Sequence, residues 1–130
     1  MLTYTILPEH RLKILQYTGV TPLAEWRQSI QNMRADPEYS PEYDVIIDVT
    51  GIERHFTRQD LYQMVSYGLP SVKYAIIASS DVSYGIARMF EMISEHAIRA
   101  VVRVFRDWDS ALKWLGRDPD EFRQSVRELK

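Results

Sequence analysis

The sequence contains no cysteine. Disulfide scaffolds, cysteine zinc sites, thiol nucleophiles and iron–sulfur clusters are excluded together. No apolar run approaches the ~18 residues needed to cross a bilayer, so no transmembrane helix is expected. Glycine is sparse, at five residues, and none falls in a Gly-rich phosphate loop or a Gly-x-Ser-x-Gly elbow. The three histidines, His10, His55 and His96, stand too far apart in sequence for a paired metal-ligand spacing. There is no basic excess either. Sixteen basic residues face eighteen acidic ones, a net charge of −2, which argues against a dedicated nucleic-acid binder. Met1 to Leu15 carries Glu9, His10, Arg11 and Lys13 and lacks the apolar run of an export signal, so a cytoplasmic location is the expectation.

What is present is ordinary for a globular domain. The 130 residues are 45% hydrophobic and 26% charged, enough for one core without staples. Tyr4–Leu7 and Leu12–Tyr17 read as two strands around the polar break Pro8–Arg11, a hairpin. Thr21 at a cap, Pro22 in the first turn and Glu25 behind them open a helix with Leu23, Trp26, Ile30 and Met33 on one face. Val45–Val49 is an apolar run of the kind that suits a strand covered on both faces. Thr57 begins a helix carrying Leu61, Met64 and Val65, stopped by Gly68 and Pro70. Val72–Ala78 is a further strand, and Ser79-Ser80-Asp81 is a cap cluster. The next helix has the cleanest period, with Ile86, Met89, Phe90, Ile93 and Ala97 on one stripe. Val101–Phe105 is the last strand. Asp107 or Asp109 caps a short helix, and Pro119 starts another with Phe122, Val126 and Leu129 on one side. A hairpin followed by βα repeats predicts an α/β domain spanning 1–130, with a mixed sheet of about five strands and helices packed on it.

Sites in such sheets form outside the carboxyl ends of the strands, where helix N-termini gather. The segments 48–57, 79–85 and 105–109 converge there. With the residues just beyond them, they supply Asp48, Thr50, Arg54, His55, Thr57, Arg58, Ser80, Asp81, Tyr84 and Arg88 as a ligand or partner surface. Capping alone accounts for Thr57, Ser80, Asp81 and Asp107. Asp48 ends an apolar run and needs hydrogen bonds if it is buried. His55 stands two residues from Thr57, close enough in sequence to be its base, but no acid–base pair with an apolar context accompanies it. Trp26 and Trp114 fall on helical stripes and read as core. Tyr39, Tyr43, Tyr62, Tyr67 and Tyr84 are too many to bury together, and some are expected to line a pocket or an interface.

The hairpin, Asp48-Val49-Thr50-Gly51-Ile52 after the third strand, Ser80–Arg88, and Val104–Asp107 with Ala111–Gly116 together resemble the STAS-like, SpoIIAA-like proteins of bacteria. Their fold is that of anti-sigma-factor antagonists. The resemblance runs to about residue 116 and implies residues 117–130 to be a C-terminal helical extension. In antagonists a serine at the start of the helix after the third strand, in an Asp-Ser-x-Gly motif, is phosphorylated by a partner kinase. The matching position is Thr57, with Phe56 and Gln59 where that motif has aspartate and glycine. The resemblance therefore implies Thr57 as phospho-acceptor and a kinase-like or regulatory protein as partner.

Two functions are expected from these readings. One is a non-catalytic regulatory or protein-interaction module, needing no cofactor and no metal. The alternative is a binding protein for a small apolar or anionic ligand, held at the strand ends between the helices around Thr57 and Asp81, with Met64, Met89 and Met92 as adaptable lining. The C-terminal stripe must cover either its own sheet or a second copy, and a homodimer is the expectation.

Overall fold

The computed structural model describes residues 1–97 and 100–128. β1 (Leu2–Leu7) and β2 (Leu12–Gly19) form the hairpin, joined by a 3₁₀ turn over Pro8–His10 with Arg11 at φ 51°. There follow α1 (Leu23–Arg34), β3 (Asp44–Ile52), α2 (Arg58–Ser66), β4 (Lys73–Ile77), α3 (Asp81–Ala97), β5 (Val101–Phe105), α4 (Trp108–Trp114) and α5 (Pro119–Glu128). The five strands lie in the order of the chain. β1 pairs antiparallel with β2, and β2 to β5 run parallel. The α/β architecture expected from the alternation is the one present.

Strand order decides where the helices go. A parallel crossover is right-handed. Three crossovers stepping the same way across the sheet therefore put α1, α2 and α3 on one face. Leu15, Val45, Tyr74, Ile76 and Val102 meet Trp26, Ile30, Leu61, Met64 and Phe90 there, forming the larger core. The opposite face would be bare without the C-terminal helices. Leu12, Ile14, Ile46, Ala75 and Ile77 are covered by Ala111, Leu112 and Leu115 of the α4 region and by Phe122 of α5.

The apolar stripe of α5 is thus spent on its own sheet, with Phe122 buried and Val126 packed beside it. That satisfies the reason for expecting a homodimer within one chain. Leu129 lies outside the described residues, and so does the side chain of Ala97. Arg117 ties the α4–α5 joint to the hairpin. It donates to the carbonyls of His10 and Arg11 and pairs with Asp44 at 2.8 Å.

One cap differs from the sequence reading. Pro22, not Thr21, holds the cap position of α1, with no side-chain cap bond. Thr21 is buried, and its hydroxyl accepts from the Met1 ammonium at 3.0 Å. Its oxygen is used across the chain instead of along the helix.

The second core predicts a stability effect. Phe122→Ala should cost about 3–5 kcal/mol in urea unfolding, as for a buried aromatic removed from a packed core. A loss under about 1 kcal/mol would mean that α5 does not cover the sheet.

Candidate functional site

Strand alternation divides the carboxyl end of β3 between the two faces. Val49 and Ile52 turn toward the α1–α3 side. Asp48 turns the other way and is 8% exposed. One carboxylate oxygen accepts the Thr50 N–H at 2.9 Å and its hydroxyl at 2.7 Å. The other accepts the Trp108 indole N–H at 3.2 Å. The charge is solvated by three donors, as a buried carboxylate requires. Asp48 therefore fastens α4 to β3 and does not join the surface expected for it.

The loop after β3 returns to the first face. Glu53 and Arg54 are exposed, and His55 and Phe56 turn inward. His55 Nε2 and Ser83 Oγ lie 2.8 Å apart. Ser83 is buried on the first turn of α3, and its N–H donates to Ser80 Oγ at 3.0 Å. Phe56 packs edge-on against Tyr17, centroids 5.6 Å apart. Together these groups border an apolar cavity of about 90 Å³ between the sheet and α1, α2 and α3. Leu15, Tyr17, Ile47 and Ile76 form its floor, and Trp26, Met64, Ala87 and Phe90 its helical walls.

The remaining candidate residues are engaged in local structure. Thr57 is exposed and caps α2. Its Oγ1 accepts the Asp60 N–H at 3.1 Å, and the Asp60 carboxylate accepts the Thr57 N–H at 3.0 Å. A phosphate on Thr57 would stand beside that carboxylate. Ser80 caps α3 through Ser83 N–H, and Asp107 caps α4. The Ser110 amide and hydroxyl hold the Asp107 carboxyl below the usual carboxylate range. Asp81 pairs with Arg106 at 2.9 Å, and that guanidinium lies over the Tyr84 ring at 4.3 Å. Arg88 pairs with Glu91. Arg54 and Arg58 are exposed.

The tyrosines singled out in the sequence do not line the cavity. Tyr39, Tyr43, Tyr67 and Tyr84 carry cations over their rings, and Tyr62 is exposed. Tyr17 and Tyr74 line the cavity instead, and burial pushes both phenols up from their ordinary value. Of the three methionines only Met64 lines it, while Met92 is exposed. Trp26 is core, and Trp114 packs half-buried against the second core with the Lys73 and Arg103 cations at its ring. Among the described residues no group of three His, Asp or Glu could hold a metal.

Lys13 was not singled out, yet it is 1% exposed. It lies on the α1–α3 face, with Ile6 opposite on β1 and Val45 opposite on β3. Burial brings its amine down from the usual lysine value to about 8, helped by the Arg34 charge and opposed by Asp44. The signal in the sequence was one charge inside the apolar run Leu12–Leu15.

Two outcomes test this geometry. In a cycle of Asp48→Ala and Trp108→Phe, the losses should fall short of additive by about 1–2 kcal/mol, as for a hydrogen bond to a buried charge. Additivity within about 0.3 kcal/mol would deny the contact. Stability should also depend on pH above 8. The unfolded chain keeps the Lys13 proton to about 10.5 while the folded chain sheds it near 8. Stability therefore rises through that window, by up to about 3 kcal/mol. Above about pH 10 it falls, because Tyr17 and Tyr74 ionise first in the unfolded chain. Urea midpoints for wild type and Lys13→Met check it, since the rise should vanish in the variant.

No family model matches the chain, and no curated protein matches it. Among solved structures it is similar to an uncharacterised protein of the DUF3478 family with a SpoIIAA-like fold, from Shewanella loihica PV-4. The TM-score is 0.60 at 18% identity, over 88% of this chain and 92% of that one. At that identity the likeness establishes the fold alone. No described helix is long and apolar enough to cross a membrane. The five-stranded mixed sheet with its helices is a SpoIIAA-like fold.

Proposed function

We propose that this chain is a non-catalytic binding module whose working site is the cavity under α1, α2 and α3, and that it takes a small apolar group. The observation that carries the reading is the cavity itself: about 90 Å³ of space walled by hydrocarbon and aromatic side chains, with one polar pair, His55 and Ser83, on its border. An apolar cavity of this kind stays dry and gains contacts when a small nonpolar molecule fills it. Its size suits a body of about three to four carbons, since ~150 Å³ accommodates benzene.

A second reading has its own observation. Tyr62 on α2 is 54% and Val82 on α3 63% exposed, and Thr57 at the cap of α2 is exposed as well. Exposed aromatic and aliphatic side chains and an exposed hydroxyl support a protein partner, a kinase-like regulator among them.

Trp26 lines the cavity, so its fluorescence reports occupancy. Titration with butan-1-ol should give a saturable change in emission, and about 1.4 kcal/mol of added stability at tenfold the dissociation constant. Ala87→Leu, which fills the space, should abolish both while the circular dichroism stays native. An unchanged wild-type emission at millimolar alcohol, or an equal response in Ala87→Leu, would sink the cavity reading. A phosphate on Thr57 in protein from its own cells would then put the partner reading first.

A further inference from the structure

The stripe of α3 that lines the cavity runs Ser83, Ile86, Ala87 and Phe90. Only its first member is polar. Ser83 sits in the first turn, at the end where the loop after β3 brings in His55 and Phe56. Tyr74, at the start of β4, marks the opposite end. The cavity therefore has a polar end at the carboxyl edge of the sheet and an apolar end toward Phe90 and Tyr74.

Other polar atoms of the lining are spent. The Tyr74 hydroxyl donates to the Pro70 carbonyl at 2.6 Å, and the Tyr17 phenol engages the Trp26 indole. His55 and Ser83 keep capacity in reserve. Nε2 and Oγ lie 2.8 Å apart, and Ser83 is 6% exposed. That one bond uses part of what a hydroxyl and an imidazole carry. Among the described residues Oγ has no second partner and His55 Nδ1 has none, so no neighbour fixes the tautomer. Where Ser83 donates to Nε2, lone pairs of Oγ remain as acceptors. Where Nε2–H donates to Oγ, the serine hydrogen remains as a donor.

We propose that the cavity takes short-chain alcohols of three to four carbons, with the hydroxyl on the His55–Ser83 pair and the tail toward Phe90 and Tyr74. The proposal rests on the cavity reading above and adds the chemistry of the ligand's polar end. A hydroxyl both donates and accepts, so it matches the pair in either tautomer. A carbonyl oxygen only accepts and matches one. A carboxylate needs a compensating charge, and among the described residues that line the cavity there is no lysine or arginine. Hydrocarbon fills the space but leaves the pair unused. A few placed polar groups in an apolar pocket are what fix a ligand's orientation.

The test compares butan-1-ol with 1-fluorobutane, which has the same carbon body and no hydroxyl. Both are titrated against Trp26 emission in wild type and in the double variant Ser83→Ala, His55→Leu. Replacing both partners by hydrocarbon leaves no orphaned polar group, so the fold should be retained. The readout is the ratio of the two dissociation constants. It should move against butan-1-ol by at least about fivefold in the variant, because its hydroxyl is then buried unpaired. A smaller change, with 1-fluorobutane still bound, overturns the alcohol assignment and leaves the cavity reading standing. No response to either ligand in wild type overturns both. Propanoate, of the same size as butan-1-ol, should bind more weakly to wild type, and tighter binding overturns the assignment. Where the variant loses its native circular dichroism, the wild-type ratio decides. Purely apolar walls favour 1-fluorobutane by about thirtyfold or more, the cost of an unpaired buried hydroxyl. A margin below that supports the pair as the hydroxyl's partner, and a margin above it overturns the proposal.

Discussion

The one-handedness of parallel crossovers shapes this molecule more than any single contact. With the strands in chain order, crossovers of one hand bring α1, α2 and α3 to the same face. That face gains three helices and a cavity among them. The other face gains none, and it carries Leu12, Ile14, Ile46, Ala75 and Ile77. Leaving these in water forfeits roughly 1.5–3 kcal/mol per large side chain. The C-terminal helices are the answer to that exposure. Residues 117–130, which look like an appendage in the sequence, supply Phe122 and Val126 to the second core.

The two charged residues inside apolar strands resolve differently because of which face they meet. Asp48 meets the indole N–H of Trp108 on α4 and the hydroxyl and amide of Thr50 on its own strand. It becomes a fastener. Lys13 meets Tyr39 and the side chains of its own row, with no ion pair among the described residues. It is pushed toward the neutral amine. The same physical rule, that a buried charge needs partners, gives a fastener in one case and a lowered amine in the other.

The candidate site shows the same division. The loop from Ile52 to Thr57 serves three purposes in six residues. Ile52 and Phe56 complete the cavity wall, His55 reaches Ser83 on α3, and Thr57 caps α2. Thr57 and Asp60 hold each other in a reciprocal cap at the helix start. The polar groups around α3 are likewise spent on one another, Asp81 on Arg106 and Arg106 on Tyr84. What is left unfilled is the apolar space, and that is why binding leads the functional reading.

Local signals in the sequence set the strands, the helices, the cap at Thr57, a later cap at Asp107 or Asp109, and the α/β class. Those depend on neighbours within a few residues: apolar period, cap hydroxyls and carboxylates, and helix stops. It also marked Asp48 as a charge ending an apolar run, while Lys13, inside Leu12–Leu15, was not singled out. Only the tertiary structure decided that Asp48 turns to Trp108, sixty residues away. Only it placed Lys13 beneath Tyr39, gathered Tyr17 and Tyr74 rather than Tyr62 or Tyr84 around the cavity, and drew Thr21 to Met1 instead of to its helix. These outcomes hang on strand parity and on which element covers which face. Neither is written locally, since shifting register by one residue exchanges the two faces while leaving the composition unchanged.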